Sequence, residues 1–155
     1  MGTFSRETKT APKIDPWYVT GFAEGEGSFT FSRAGNHMAL YFAIKLTAKD
    51  ESILVAIREF LDGVGCIYPV KAKEPKARAG YTKSARYFRV TNIADLERIV
   101  QHFDQYPLCG LKAQSYLIWR KMVMLKREFR KVPIEKLEIL AQKLSLLSPR
   151  NQPWE

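Results

Sequence analysis

The chain has 155 residues, 46% of them apolar, which is the size of one domain able to bury a core without disulfides or a structural metal. Lysine and arginine outnumber aspartate and glutamate 25 to 16, and this surplus of +9 points to a polyanionic partner. The longest apolar run falls far short of the roughly 20 residues that a membrane span needs. The leader MGTFSRETKTAPK lacks an apolar signal core, and Cys66 and Cys109 have neither C-x-x-C spacing nor a disulfide framework.

Residues 1–14 are expected to be a flexible leader, 15–148 a single domain and 149–155 a loose tail. Asp15 followed by Pro16 predicts a helix start, since the carboxylate can accept from free N–H groups and proline loses nothing at the first helical position. That helix is expected to run through Trp17 to about Gly25. From Ser28 the pattern turns to period two, with Phe29 and Phe31 opposite Ser28, Thr30 and Ser32, and RAGN reads as a turn. The next strand continues the alternation: Leu40, Phe42, Ile44 and Leu46 face a core, while Ala39, Tyr41, Ala43, Lys45 and Thr47 face away.

Asp50 is expected to cap a second helix with a stripe of Ile53, Ile57, Phe60 and Leu61, ended by Gly63. A second hairpin is predicted over roughly 66–74 and 81–91. A third helix follows with Leu96, Ile99, Val100 and Phe103, then a long one over about 110–130. The last helix begins after Pro133, with Ile134, Leu137, Leu140, Leu144 and Leu147 as its stripe. Two ββα units of similar length predict an α+β domain with a four-stranded antiparallel sheet, one face on the helices and the other open.

The open face and its hairpin ends carry polar, basic and tyrosine residues. The expected nucleic-acid contacts are Ser28, Thr30, Ser32, Arg33, Asn36, His37, Tyr41, Lys45, Thr47, Tyr68, Lys71, Lys73, Lys83, Tyr87 and Arg89. Basic residues spread over several segments suit nucleic acid better than a membrane surface, which attracts a single basic amphipathic helix, and two-stranded ribbons that fit the major groove make double-stranded DNA the expected partner. No membrane association and no small-molecule cofactor are expected. The reducing compartment that the cysteines suggest is a bacterial or archaeal cytoplasm or an organelle matrix.

In the predicted first helix, Gly21 and Gly25 lie four apart on one face, where another helix can approach closely. A twofold-related copy of the same helix is the expected partner, which makes a homodimer whose interface includes Trp17, Gly21, Glu24 and Gly25. Glu24 and Glu26 stand two apart and so point in different directions. An acid at a helix C-terminus is unfavourable unless a cation or donor compensates, and a divalent metal would do so. A glycine-rich phosphate loop does not fit, because interleaved acids repel phosphate. A structural turn with both glutamates solvated remains the plain alternative.

VTGFAEGEG, residues 19–27, followed by SFTF resembles the LAGLIDADG motif of homing endonucleases. The expected αββαββα order is similar to that family's fold. The resemblance implies a site-specific DNA endonuclease, encoded by a mobile intron, and a single motif implies the homodimeric subclass acting on a long near-palindromic target. It places Glu26 at the acid that binds Mg²⁺ or Mn²⁺ and the scissile phosphate, assisted by the Gly25 carbonyl, with Ca²⁺ supporting binding without cleavage. Glu24 falls at an interface acid. PLCGLKAQSY, residues 107–116, resembles the segment that supplies a pocket lysine, here Lys112, for which a solvated helix-start lysine is the alternative. LTAKD, residues 46–50, keeps Lys49 as a further pocket residue but has Ala48 where a glutamine is common, and Ser52 stands where some members are basic. These departures favour the competing reading, an RNA maturase or non-cleaving DNA-binding protein of the same fold.

Overall fold

In the computed structural model, residues 13–72 and 83–148 are described; the leader, Lys73, the tip of the second hairpin and the tail lie outside them. The elements run α1 Pro16–Glu26, β1 Gly27–Ala34, β2 His37–Thr47, a 3₁₀ turn Ala48–Asp50, α2 Glu51–Phe60, β3 Cys66–Val70, β4 Ala85–Val90, α3 Ile93–Gln105, α4 Leu111–Glu128 and α5 Ile134–Leu146. The strands form one antiparallel sheet in the order β1-β2-β4-β3, so the two hairpins meet through their inner strands, β2 and β4. Pro69 lies in the edge strand β3, where a missing N–H is tolerated.

Local chemistry accounts for most boundaries. Asp15 accepts from the Trp17 N–H at 2.8 Å, capping α1 as its sequence predicts. Gly35, at φ +58°, holds the first position of the two-residue turn between β1 and β2, the type II′ arrangement that matches strand twist. The end of α2 adds a residue to the expected glycine. Asp62 takes a left-handed conformation at φ 62°, ahead of Gly63, which is itself left-handed at φ +75° and donates its N–H to Arg58 O at 2.8 Å, closing the helix end. Asp50 precedes α2, but its carboxylate accepts from the Thr47 hydroxyl at 3.2 Å and not from the helix.

The helices cover one sheet face. Phe29 is the hub of the core, its ring centroid 5.1–5.2 Å from those of Phe42, Phe103, Tyr116 and Trp119. Burying each such ring stabilises the fold by about 1.5–3 kcal/mol. Leu54 lies at the centre of the α2 stripe with Ile53 at its margin, and Ala141 completes the α5 stripe beside Leu137 and Leu144. Tyr116 O–H lies 2.7 Å from Asp104, which Arg120 also grips, tying α3 to α4.

Candidate active site and nucleic-acid interface

α1 carries apolar residues on all sides. Its inner side buries Val19, Thr20 and Ala23, and the polar member is satisfied: the Thr20 hydroxyl donates to Tyr106 O at 2.8 Å and stands 3.0 Å from His102 Nε2. Because that hydroxyl spends its proton on Tyr106 O, His102 is the donor to it, a neutral Nε2–H tautomer. Burial, with help from Arg98, lowers the His102 pKa to about 4. The sequence reading passed over Thr20 and His102; the available signal was a hydroxyl on the buried side of an apolar helix, which requires a partner.

The outer side of α1 presents Trp17, Gly21 and Gly25, all exposed and four residues apart. A Cβ built at Gly21 or Gly25 meets nothing within 4 Å, whereas one at Gly27 would strike Ala23 O at 2.8 Å. Packing within the chain therefore explains glycine at 27 and leaves 21 and 25 to another cause.

The C-terminal turn of α1 interlocks with the start of α4. Glu24, expected at the outer interface, is turned inward. Its Oε1 accepts from the backbone N–H groups of Cys109, at 2.9 Å, and Gly110, the free donors at the start of α4. Helix rotation puts Glu24 about 100° from Gly25 and about 60° from Gly21, at the margin of the glycine face, and from there its side chain reaches α4. A carboxylate there also suits the positive end of the α4 dipole. In return Lys112, in the first turn of α4, donates to Ala23 O at 3.0 Å and so caps the negative end of α1. Burial pulls the Lys112 pKa below the ordinary lysine value, opposed by the charges of Glu24 and then Glu26. Lys112 is thus half-buried, bonded to the end of α1, and is not a solvated helix-start residue.

Glu26 is exposed at the end of α1, with no hydrogen bond or ion pair to any described residue. Lys49 is exposed in the 3₁₀ turn and makes no hydrogen bond or ion pair to Glu26 or to α4. Among the described residues no three His, Cys, Asp or Glu side chains converge on a metal-sized site. An ion here would take Glu26 as this chain's carboxylate and draw its other oxygens from elsewhere, which fits the few carboxylates and several outside oxygens that Mg²⁺ accepts.

On the sheet, strand register sorts the expected contacts. Ser28, Thr30, Ser32, His37, Tyr41, Lys45, Thr47, Tyr68, Tyr87 and Arg89 share the open face, and cross-strand pairing lines up Lys45, Tyr87 and Tyr68 in one row and Ser28, Ala43, Arg89 and Cys66 in the next. Asn36 is at the first turn, and Lys71 and Lys83 flank the second hairpin's strands; all three are exposed. Arg33 departs from the expectation. Its parity matches Phe29 and Phe31, so it lies on the helix side, where its guanidinium pairs with Glu138 of α5. Ala43, expected to face away, is on the open face yet only 3% exposed, in the row that Arg89 occupies. None of the four strands carries an aspartate or glutamate.

An αββαββα chain whose first helix ends in two acids beneath an acid-free sheet has the fold of homing endonucleases, and solved structures align with it accordingly. A LAGLIDADG meganuclease, I-AabMI, crystallised on uncleaved DNA, matches at 27% identity and TM-score 0.69 over 83% of this chain and 44% of its own. The homing endonuclease I-TnaI matches in fold, at 20% identity and TM-score 0.61, over 86% of this chain and 99% of its own. The family described as LAGLIDADG endonuclease matches residues 19–123, and the chain belongs to that family. A Neurospora crassa protein named as a probable intron-encoded endonuclease is 30% identical over 142 residues, 86% of this chain and 29% of that relative. The chain spans about a quarter of the length of such curated relatives. Among the described residues no helix is long and apolar enough to cross a membrane.

Proposed function

We propose that the protein is a sequence-specific, metal-dependent double-strand DNA endonuclease of intron-homing type, located in a cytoplasm or organelle matrix and working as a homodimer on a long near-palindromic target. The observation that carries this reading is Glu26: an exposed carboxylate at the C-terminal end of α1, without a partner among the described residues and close enough to Lys112 to perturb it. Pairing two copies of α1 through Gly21 and Gly25 brings two Glu26 carboxylates to one axis, and their shared need is a divalent cation.

Bound there, Mg²⁺ or Mn²⁺ supplies Lewis-acid polarisation of the phosphate and a more acidic water. Glu26, with the Gly25 carbonyl beside it, holds the ion. Lys112, fixed by its bond to Ala23 O, places a positive charge near the negative charge that develops on the phosphate in the transition state. Lys49 contributes a further cation at the margin. The acid-free sheet face binds the duplex, with its alternate side chains directed at base edges and its ends at phosphates.

The test is a plasmid carrying the intron-less insertion sequence, incubated with the protein in Mg²⁺ and in Ca²⁺. Linearisation in Mg²⁺ and retention without cutting in Ca²⁺ are expected. Ala48 and Ser52 favour a maturase or non-cleaving binder of the same fold, and binding without linearisation in either ion would establish that reading instead.

A further inference from the structure

Five of the described arginines are committed to carboxylates, while Arg58 donates to the Gly65 carbonyl at 3.0 Å and Arg130 is exposed. Arg33, Arg86, Arg98, Arg120 and Arg127 pair with Glu138, Glu51, Asp62, Asp104 and Glu97. Arg89 has no carboxylate partner among the described residues, and its buried Nε–H has no acceptor. Its position is nonetheless defined, because its guanidinium carbon lies 3.9 Å from the centroid of the Tyr41 ring. Among the described residues, that contact is the one interaction seen to hold the head group.

The surroundings suit a group held ready. Arg89 lies on β4 and Tyr41 on β2, the two inner strands of the sheet. Arg89's row-mates Ala43 and Cys66 are small, so no tall side chain stands between it and Tyr41. Tyr87 interacts with Tyr41 as well. Its phenol pKa is raised by burial first and by Tyr41 second, while Arg89 opposes the change. A cleft of about 310 Å³ opens beside the arginine, lined by Gly65, Cys66, Tyr68 and Arg89 and by further residues that include Asp62 and Asp95. A planar five-donor group in mid-sheet, stacked and unpaired, matches an acceptor pair approaching from the open side. A duplex laid on the sheet brings base edges to mid-sheet and phosphates to the rim. The acceptor pair that an arginine fork fits on a base edge is N7 and O6 of guanine.

We infer that Tyr41 is a positioning residue that pre-orients Arg89 to read one guanine in each half of the target. The inference rests on the DNA-binding reading above. Holding the fork on the ring before binding removes rotamer entropy that a free arginine would lose on contact, so Tyr41 contributes to sequence choice without touching a base.

The test is selection from a library of duplexes with a randomised central stretch, without Mg²⁺, using the wild-type chain and the variants Tyr41→Phe, Tyr41→Leu and Arg89→Lys. Wild type and Tyr41→Phe should enrich a G·C pair at a position where Arg89→Lys and Tyr41→Leu each reduce the preference, by roughly five- to a hundredfold. Other positions should keep their preference, and the salt dependence should be unchanged, since both variants keep the charge. The double variant should lose no more at that pair than either single one, the non-additivity expected of two groups acting as one. If leucine at 41 lowers the melting temperature enough to unfold the sheet, Tyr41→Thr replaces it, a strand-compatible side chain without a ring. Wild-type preference in the ringless variant would overturn the positioning role. Even weakening at all positions would make Arg89 a phosphate contact and overturn the guanine assignment. A wild-type chain that selects no sequence would instead defeat the DNA reading itself.

Discussion

Two regions of this domain treat charge in opposite ways. In the seam between α1 and α4, Glu24 and Lys112 each hold the open end of the other's helix, through Cys109, Gly110 and Ala23. On the outer surface, Glu26 and Arg89 have no charged partner among the described residues, and the strands of the sheet that carries Arg89 have no acid. Charges with partners inside the chain hold the fold. Those without are available to a ligand; Glu24, whose Oε1 is bonded while its buried Oε2 has no partner among the described residues, and Glu26 show the contrast two residues apart.

The largest expected effect on stability is in the seam. Glu24→Ala removes two charge-assisted acceptances and the cap of α4 together and should cost about 3 kcal/mol, seen as a lower midpoint in urea. A midpoint equal to wild type would erase the contrast between the two acids. Gly21→Val tests the outer face of α1. The chain itself has room for the side chain, so the isolated fold should keep its melting temperature, while a second α1 is pushed away at a cost of about 2 kcal/mol in assembly. Sedimentation equilibrium should show the dissociation; an unchanged dimer would remove the glycine face from the interface.

A smaller effect should come from His102. Its folded pKa, about 4, lies below the ordinary value of 6.5, so the unfolded chain binds the extra proton between those limits and stability falls as pH drops through that window. Between pH 7 and 5 the loss should be roughly 1–2 kcal/mol, and His102→Gln should flatten that slope in thermal melts. A wild-type melting curve indifferent to pH over this range would contradict the buried neutral histidine. Smallest of all, Arg33→Ala should leave the melting temperature unresolved from wild type and weaken DNA binding little, since the guanidinium is exposed and faces Glu138 on the helix side. A large loss of DNA affinity would return Arg33 to the binding surface.

Local chemistry was legible in the sequence wherever its cause is local. The Asp15 cap, the first hairpin and the stripe Leu96, Ile99, Val100 and Phe103 are all where period and capping rules put them. The inward turn of Glu24 was not, because its donors Cys109 and Gly110 are 85 and 86 residues away and no local pattern reaches them. Arg33 is a different case: strict alternation from Phe29 and Phe31 already puts it on the helix side, but its charge suggested the open face. Ala141 escaped the α5 stripe because alanine is a weak signal of burial.

The most direct test compares Glu26→Gln with Glu24→Gln in one set of preparations, each measured for duplex affinity in Ca²⁺, cleavage in Mg²⁺ and melting temperature. At position 26, glutamine keeps the shape but removes the charge that holds the ion. Affinity and melting temperature should therefore persist while cleavage falls by at least about a hundredfold. At position 24 glutamine retains an acceptor for the α4 N–H groups but loses its charge, so the melting temperature should fall and cleavage should drop only in proportion. Cleavage at the wild-type rate by the Glu26→Gln protein would contradict the assignment of Glu26 as the metal-holding carboxylate and with it the separation of the two acids into a structural and a catalytic one.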